Sequence, residues 1–177
     1  AGDIRSFAIS PDGQSVVFEA DRDTDDTYEL YSVSIAGGTV TKLSSVQMVG
    51  DVYDFSISPD SRRVIYLADK DVDNQFDLYS VPTTGGASIK LSALSAGGDL
   101  DISFLGIRKS FAISPDSLRV VYVADQDTDE TFELFSVSII GGPVVKLSTL
   151  PTDGDVFEFS ISPDSQRVVY VADQDLD

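Results

Sequence analysis

Four copies of one short motif constrain the fold of this 177-residue chain more than any other feature. The motif is Phe-x-Ile-Ser-Pro-Asp, and its copies begin at Phe7, Phe55, Phe111 and Phe159. The first two copies lie 48 residues apart, as do the last two, whereas 56 residues separate the second from the third. Because a fixed spacing of this size is the mark of a repeat architecture, the chain is predicted to consist of adjacent copies of one unit.

Within each repeat, the pattern of apolar residues predicts four short strands. In the second repeat, residues 52–58 alternate large apolar side chains with small or polar ones, which is the period of a half-buried strand. Residues 63–68 are nearly all apolar and predict a strand buried on both faces. Residues 78–81 predict a third strand, and residues 87–91 an outer, half-exposed fourth strand.

Turn residues separate these predicted strands. Pro59, Asp60 and Ser61 predict a turn after the first strand, since proline presets φ and aspartate bonds its own backbone. Paired glycines predict a tight turn before each fourth strand, at positions 37–38, 85–86 and 141–142. Helical periodicity is absent, so the elements are all expected to be strands.

Antiparallel units of four strands, repeated at about 40–50 residues, are typical of propeller blades. The sequence therefore predicts an all-β fold, a β-propeller with three complete four-stranded antiparallel blades and the first half of a fourth. The predicted blades span approximately residues 1–49, 50–97, 105–153 and 154–177. The additional residues between the second and third motif copies fall around 96–106, where they lengthen one connection.

The Ser-Pro-Asp-Gly/Ser turn, followed by a strand rich in Val, Ile and Tyr, resembles the WD-like propeller repeats of the TolB class. Such repeats also form the propeller domains that precede prolyl-oligopeptidase-type peptidases. The resemblance covers the whole chain and implies the propeller fold. It implies little about activity, because propellers host many functions.

In a propeller, three sets of repeated side chains have expected roles. The motif phenylalanines are expected in the core between blades, at Phe7, Phe55, Phe111 and Phe159. Aromatic residues of the third strands are expected in the core as well, at Tyr31, Tyr79 and Phe135. Arginines that precede the second strands are expected to pair with nearby acids, at Arg63, Arg119 and Arg167. Lysines of the fourth strands are expected to discourage edge pairing, at Lys42, Lys90 and Lys146.

An acidic loop joins the second and third predicted strands of each repeat. In the second repeat, Asp69, Asp71, Asp73 and Asp77 place carboxylates at loop positions 1, 3, 5 and 9. The same spacing occurs at Asp21, Asp23, Asp25 and Glu29, and at Asp125, Asp127, Asp129 and Glu133. Carboxylates crowded in this way repel one another unless a cation lies among them, and hard oxygen ligands suit calcium. The sequence therefore predicts up to three complete calcium sites.

This loop pattern resembles the calcium loops of integrin α-chain propellers, written D-x-D-x-D-G-x-x-D. The resemblance implies that the position-7 residues add a carbonyl ligand to the carboxylates, at Thr27, Gln75 and Thr131. Position 6 departs from the pattern, because Asp26, Asn74 and Glu130 replace glycine, and glutamate tolerates a positive φ poorly. The alternative is a long hairpin turn whose aspartates accept hydrogen bonds from backbone amides.

Composition excludes several classes of function. The net charge of −18 argues against nucleic acid and against an anionic membrane surface as partners. The chain has no cysteine and no histidine, which excludes zinc sites, thiol catalysis and Ser-His-Asp triads within it. No apolar run approaches the roughly 20 residues of a membrane span. No signal peptide is visible at Ala1, so a mature or excised segment is expected.

These observations together predict a non-catalytic, calcium-binding propeller module with a structural or protein-binding role. The acidic residues recur in every blade instead of forming one cleft, so no enzyme activity is expected. A protein partner, or self-association through the open propeller edge, is predicted, in a larger or self-associating protein. An extracellular or periplasmic location is expected, because weak calcium sites need millimolar calcium. The alternative is the accessory propeller of a prolyl-oligopeptidase-type or other hydrolase whose catalytic domain lies elsewhere.

Overall fold

The computed structural model describes residues 2–44, 50–72, 74–94, 98–100, 110–128, 130–151 and 154–173. Every regular element in these ranges is a β-strand, which confirms the predicted all-β class. None of the described elements is an apolar helix of membrane-spanning length. The chain divides into two compact units, residues 1–90 and 91–177.

The strands form consecutive antiparallel sheets in which sequence neighbours pair. The first sheet contains β1 (Ile4–Ile9), β2 (Ser15–Ala20), β3 (Glu29–Ser34) and β4 (Thr41–Lys42). The second contains β5 (Val52–Ile57), β6 (Arg63–Ala68), β7 (Asp77–Pro82) and β8 (Ile89–Lys90). The third contains β9 (Phe111–Ile113), β10 (Arg119–Ala124), β11 (Glu133–Ser138) and β12 (Val145–Lys146). The fourth contains β13 (Val156–Ile161) and β14 (Val168–Ala172).

The second repeat shows how well the pattern of apolar residues predicted these strands. The first strand, β5, ends one residue before its predicted end, and β6 has the predicted bounds. The third strand, β7, is longer than expected by one residue at each end. The fourth strand was predicted over 87–91, yet only Ile89 and Lys90 belong to β8. The predicted longer connection around 96–106 lies mainly outside the described residues.

Each Ser-Pro-Asp turn closes the hairpin between the first and second strands. In the second sheet, the Ser58 hydroxyl donates to the Asp60 carboxylate at 2.6 Å, and the same carboxylate accepts the Arg62 amide at 3.1 Å. The residue after each aspartate has a left-handed backbone, at Gly13, Ser61, Ser117 and Ser165. The Asp12 amide donates to the Ser61 hydroxyl at 3.0 Å, so adjacent turns are also linked. The predicted bonding of aspartate to its own turn is confirmed.

In unit 1, the core joins the first two sheets face to face. Val17, Leu30 and Leu43 of the first repeat pack in one cluster with side chains of β5, β6 and β7, among them Tyr66. Phe55 and Ile57, from the strand nearest the first sheet, pack against this cluster. Burial of apolar surface at about 25 cal/mol per Å² is what holds the two sheets together.

In unit 2, the third and fourth sheets pack in the same way. Val121, Val123 and Leu134 cluster with Val156 of β13. The partly buried side chains packed on this cluster are Phe159, Ile161, Val168, Tyr170, Ala172, Leu150 and Phe132. The second contact between sheets therefore repeats the first, 104 residues later in the sequence.

The motif phenylalanines differ in burial. Phe55 and Phe159 are half-buried and pack between the sheets of their own units, as expected, and Phe111 is 2% exposed. Phe7 departs from the prediction, because it is 71% exposed on the uncovered face of the first sheet. The third-strand aromatics are confirmed as core residues, since Tyr31, Tyr79 and Phe135 are buried.

Candidate functional site

The acidic loops share two backbone features in all three complete repeats. Each connects the second strand of its sheet to the third, and its position-6 residue has a left-handed φ near 60°. These residues are Asp26, Asn74 and Glu130, so the backbone turn that glycine favours forms without glycine. The position-7 amide donates to the position-4 carbonyl in each loop, at 3.2 Å for Thr27, 3.1 Å for Gln75 and 3.1 Å for Thr131.

The position-1 aspartates are buried and hold backbone amides. Asp69 Oδ1 accepts the amide of Asp51 at 2.6 Å, and its Oδ2 accepts the amide of Asn74 at 3.4 Å. Asp21 and Asp125 accept the amides of Asp3 and Asp99 in the same way. Asp125 Oδ2 also accepts the amide of Glu130 at 3.2 Å. These carboxylates therefore fasten the loop to the segment that precedes the first strand, as the backbone-bonding alternative predicts.

A second carboxylate in that preceding segment extends the contact to the neighbouring loop. The Tyr28 amide, at loop position 8, donates to Asp51 Oδ1 at 2.6 Å, and the Asp51 amide donates to Asp69. In unit 2, the Phe132 amide donates to Asp155 Oδ1 at 2.8 Å. In unit 1, carboxylates thus connect the first acidic loop to the second through backbone N–H groups.

Positions 3 and 9 share one lysine from the fourth strand of the same sheet. Lys90 Nζ lies 2.5 Å from Asp77 and 3.6 Å from Asp71. Lys42 bridges Glu29 and Asp23, and Lys146 bridges Glu133 and Asp127, with the position-3 contacts at 3.0 and 3.2 Å. The position-9 carboxylates are buried, whereas those at position 3 are nearly half exposed. In each of the three complete repeats, one ammonium group therefore pairs with two of the four acidic residues and offsets one of their two negative charges.

The pKa directions agree with this pairing. The hydrogen bond from Lys42 is the main cause that lowers the pKa of Asp23. Burial alone would lower the pKa of Lys42, but its hydrogen bonds to Glu29 and Asp23 raise it above the ordinary lysine value. Lys146 shows the same balance with Glu133 and Asp127. Beside this cluster, burial raises the pKa of the Tyr31 phenol to about 12.

The remaining predicted calcium ligands are less informative. Asp25 is exposed, and Asp73 and Asp129, its counterparts at position 5, lie outside the described residues. In the first loop all four acids are described, and they are divided among backbone amides, a lysine and solvent. No three acidic side chains in the described ranges converge as a metal cluster. In the first loop, Lys42 pairs with Asp23 and Glu29, so a cation bound by both carboxylates would have to displace this lysine.

Two repeated features of this site were missed from the sequence. A Gly-Asp pair precedes each first strand, at residues 2–3, 50–51, 98–99 and 154–155. A Cβ on Gly50 would lie 2.6 Å from the Asp69 carbonyl oxygen, so this position requires glycine to let the two backbones approach. The other feature is the pairing of fourth-strand lysines with loop acids. Their joint recurrence in three repeats was the available signal.

The predicted pairing of the second-strand arginines with acids is wrong for the described residues. Arg63 Nε donates to the Ser80 hydroxyl at 2.6 Å, and Arg119 Nε donates to the Ser136 hydroxyl at 2.7 Å. No ion pair of these arginines, or of Arg167, occurs in the described ranges. Burial lowers the pKa of Arg63, and the charge of Asp60 opposes this effect only in part.

No protein-family model and no curated protein matches the sequence. Solved structures match its fold. TolB from Agrobacterium tumefaciens aligns with a TM-score of 0.61 at 20% identity, over 95% of this chain and 53% of that one. Dipeptidyl peptidase 4 from Porphyromonas gingivalis aligns with a TM-score of 0.70 at 13% identity, over 96% of this chain and 29% of that one. The tricorn protease aligns with a TM-score of 0.62 at 15% identity, over 94% of this chain and 15% of that one.

The chain therefore spans about half or less of each of these structures. At these identities the likeness concerns the fold alone. The antiparallel sheets, the Ser-Pro-Asp turns and the face-to-face packing of consecutive sheets are its structural basis in this chain. The described sheets have the β-propeller fold, as do the aligned TolB and dipeptidyl peptidase 4 structures.

Proposed function

We propose that this chain is a non-catalytic propeller module that binds protein through the apolar faces of its first and last sheets. The observation that carries the proposal is the exposure of side chains whose repeat counterparts are buried or half-buried. Phe7 and Ile9 are exposed on the first sheet, and Val169 and Val171 on the last. Exposed apolar surface of this kind marks interaction sites.

The counterparts of these exposed side chains pack between neighbouring sheets elsewhere in the chain, so the two exposed faces are expected to fit such sheets. Phe55 and Ile57, the counterparts of Phe7 and Ile9, pack against the first sheet in unit 1. Val121 and Val123, the counterparts of Val169 and Val171, lie in the core between the sheets of unit 2. The partner surface is accordingly another propeller repeat, in a larger protein or in a second copy of the chain.

Sedimentation equilibrium at micromolar concentration tests this role. The chain is expected to self-associate, and Phe7→Ser is expected to shift the equilibrium towards monomer. Leu118→Ser is the matched control, because Leu118 is also exposed but lies in a Ser-Pro-Asp turn. A monomer with no concentration dependence would contradict the proposal, and so would equal effects of the two substitutions.

The alternative is an accessory propeller of a hydrolase whose catalytic domain lies elsewhere. Its support is that two of the aligned structures are, by their names, a dipeptidyl peptidase and a protease. Under either proposal the isolated chain turns over neither peptide nor glycoside substrates. A full-length sequence with Gly-x-Ser-x-Gly followed by an aspartate and a histidine would favour the hydrolase.

Calcium binding by the acidic loops is a further part of the proposal, and it requires an ion to displace the lysine. Its support is the repeated spacing of four carboxylates in three loops that share a left-handed residue at position 6. An ion that binds only the folded state stabilises by about 2.7 kcal/mol at 100 times its Kd. Calcium is therefore expected to raise the melting temperature above that in chelator, and to do so more strongly than magnesium.

A lysine substitution separates calcium from the ammonium group as the loop cation. In Lys90→Gln, the Asp71 and Asp77 carboxylates lose their ammonium partner. The variant is expected to bind calcium more tightly than the parent chain in isothermal titration calorimetry. Lys70→Gln, which removes a lysine bonded to the Ser88 hydroxyl, is the control. Melting curves unchanged by calcium in both parent and Lys90→Gln would eliminate this part of the proposal.

The proposed location is outside the cytoplasm, in the extracellular space or the periplasm. This follows from the calcium proposal, because extracellular calcium modules bind at about 10⁻⁴–10⁻³ M. The location is therefore abandoned if the calcium experiment fails, whereas the protein-binding role does not depend on it.

A further inference from the structure

Two strands of unit 2 have the same sequence but different neighbours. Residues 167–172 repeat residues 119–124 letter by letter, as Arg-Val-Val-Tyr-Val-Ala. The earlier copy, β10, pairs with β9 on one side and with β11 on the other. In the described part of the chain, β14 pairs with β13 alone. Its second edge therefore presents backbone N–H and C=O groups without a strand partner.

The contacts of β10 show what such an edge accepts. Arg119 Nε donates to the Ser136 hydroxyl of β11 at 2.7 Å, and Tyr122 stacks on Phe135 with ring centroids 5.6 Å apart. The second sheet repeats both contacts. Arg63 donates to Ser80, and Tyr66 stacks on Tyr79 at 5.3 Å. In both sheets, a guanidinium group and an aromatic ring on the second strand thus contact a hydroxyl group and an aromatic ring on the third.

The same two groups occur on β14, where Arg167 is exposed and Tyr170 is half-buried. Arg167 and Tyr170 line a cavity of about 290 Å³, together with Ser136 of the third sheet. The Ser136 hydroxyl has no acceptor in the described part of the chain. Its counterpart in unit 1, Ser32, donates to the carbonyl of Thr83 at 2.8 Å, one residue after β7. A strand added to β14 therefore has a ready donor for the carbonyl that follows it.

We propose that the free edge of β14 binds an extended segment with third-strand chemistry. The third strands share an acidic residue followed by Leu, an aromatic residue, Ser and Val, in β3, β7 and β11. By the register of β10 with β11, the incoming aromatic ring lies opposite Tyr170 and the incoming serine opposite Val169. The serine accepts from Arg167. The inference rests on the proposed protein-binding role and specifies one edge and the sequence that binds it.

A synthetic peptide of residues 75–92 tests this edge, because it contains β7 and β8 of the second repeat. The labelled peptide is titrated with the 177-residue chain and followed by fluorescence anisotropy. The expected result is saturable binding with one peptide per chain, and no binding of a scrambled peptide. Equal binding of both peptides would reduce the contact to nonspecific apolar adhesion and overturn the proposal.

A double-mutant cycle tests the predicted arginine–serine contact. Arg167→Ala in the chain is expected to weaken binding about tenfold, as loss of a charge-assisted hydrogen bond does. Ser80→Ala in the peptide is expected to have a similar effect, and the two changes together little more than either alone. Arg62→Ala, which removes another arginine at a distant turn, is the control. Fully additive effects would contradict the contact.

Hydrogen exchange provides a readout of strand addition. Peptide binding is expected to slow exchange of amides in β14 and to leave the amides of β1 unchanged. Protection confined to β1 would place the peptide on the other apolar face and overturn the inference. The two proposals remain distinguishable, because Phe7→Ser tests the face of β1 by sedimentation while Arg167→Ala tests the edge of β14. Loss of either effect alone removes only the corresponding proposal.

Discussion

The first and third sheets begin with the same seven residues, Ser-Phe-Ala-Ile-Ser-Pro-Asp, at 6–12 and 110–116. Phe7 is 71% exposed, whereas Phe111 is 2% exposed. The local turn is nevertheless the same, since Ser10 and Ser114 each donate to the turn aspartate at 2.6 Å. The difference teaches that a repeat sequence specifies its strand and turn, while burial of its apolar face depends on what packs against it.

Truncation of these two phenylalanines should give the largest difference between the regions. Phe111→Ala is expected to lower the free energy of unfolding by about 3–5 kcal/mol, because it removes a buried ring and leaves a cavity. Phe7→Ala is expected to change it by no more than about 0.5 kcal/mol, as exposed substitutions do. Urea unfolding at a concentration where the chain is monomeric measures both. Equal losses would contradict the assigned burial.

The sequence predicted the strand pattern and the turns well, because both follow from local chemistry. Alternation in 52–58 and the proline and aspartate at 59–60 are sufficient for a strand and a turn, and both occur. The exposure of Phe7 could not be read from its motif, which is identical in the third repeat. It requires knowledge of the neighbouring sheet.

The acidic loops show the same limit at the candidate site. Their spacing predicted that the carboxylates lie between the second and third strands, whereas the position-9 residues are the first residues of the third strands themselves. It did not predict which groups neutralise them, because Lys90 is 13 residues from Asp77 and reaches it only through pairing of β7 with β8. The amide of Asp51 reaches Asp69 only because Gly50 permits close approach of the backbones.

Substitution of two glycines compares a position where two backbones lie close together with a position in an open turn. Gly50→Ala is expected to cost about 2 kcal/mol, since its Cβ would overlap the Asp69 carbonyl and overpacking has costs of this size. Gly13→Ser is the control. It has open space around it, and serine occupies the same left-handed turn position at Ser61. Thermal unfolding of both variants checks the difference.

Substitution of the two carboxylates that share Lys90 should reduce the free energy of unfolding by different amounts, because one is buried and the other is exposed. Asp77→Asn is expected to lower the free energy of unfolding by about 1–2 kcal/mol, because a buried carboxylate then no longer neutralises the lysine. Asp71→Asn is expected to cost less than about 1 kcal/mol, since its pair is exposed and longer. A larger loss for Asp71→Asn in urea unfolding would reverse the assignment.

Changes in the dependence of stability on pH should be the smallest of these effects. They should arise from titratable groups in both the acidic loops and the Ser-Pro-Asp turns. Hydrogen bonds from Ser10 and Ser114 hold the pKa values of Asp12 and Asp116 below the aspartate value. Their contribution to stability is therefore present above the unfolded pKa of about 3.9 and is lost as pH falls through the folded value. Asp12→Asn should flatten the dependence of melting temperature on pH below about 4.

At high pH the sign is opposite. The folded pKa values of Lys42 and Lys146 are raised, so their contribution is complete below the unfolded value of about 10.4 and is lost as pH rises above it. Lys42→Met should flatten the dependence of melting temperature on pH above about pH 10. A variant that keeps the parent dependence would show that the ion pairs make no net contribution.

Tryptophan fluorescence compares the two identical motifs most directly, because the chain has no tryptophan of its own. In Phe111→Trp, emission is expected at short wavelength at every protein concentration. In Phe7→Trp, emission is expected at long wavelength in dilute solution and should shift to short wavelength as the chain associates through the face of β1. Emission from Phe7→Trp that stays at long wavelength at all concentrations, although the chain associates, would contradict the proposed interface.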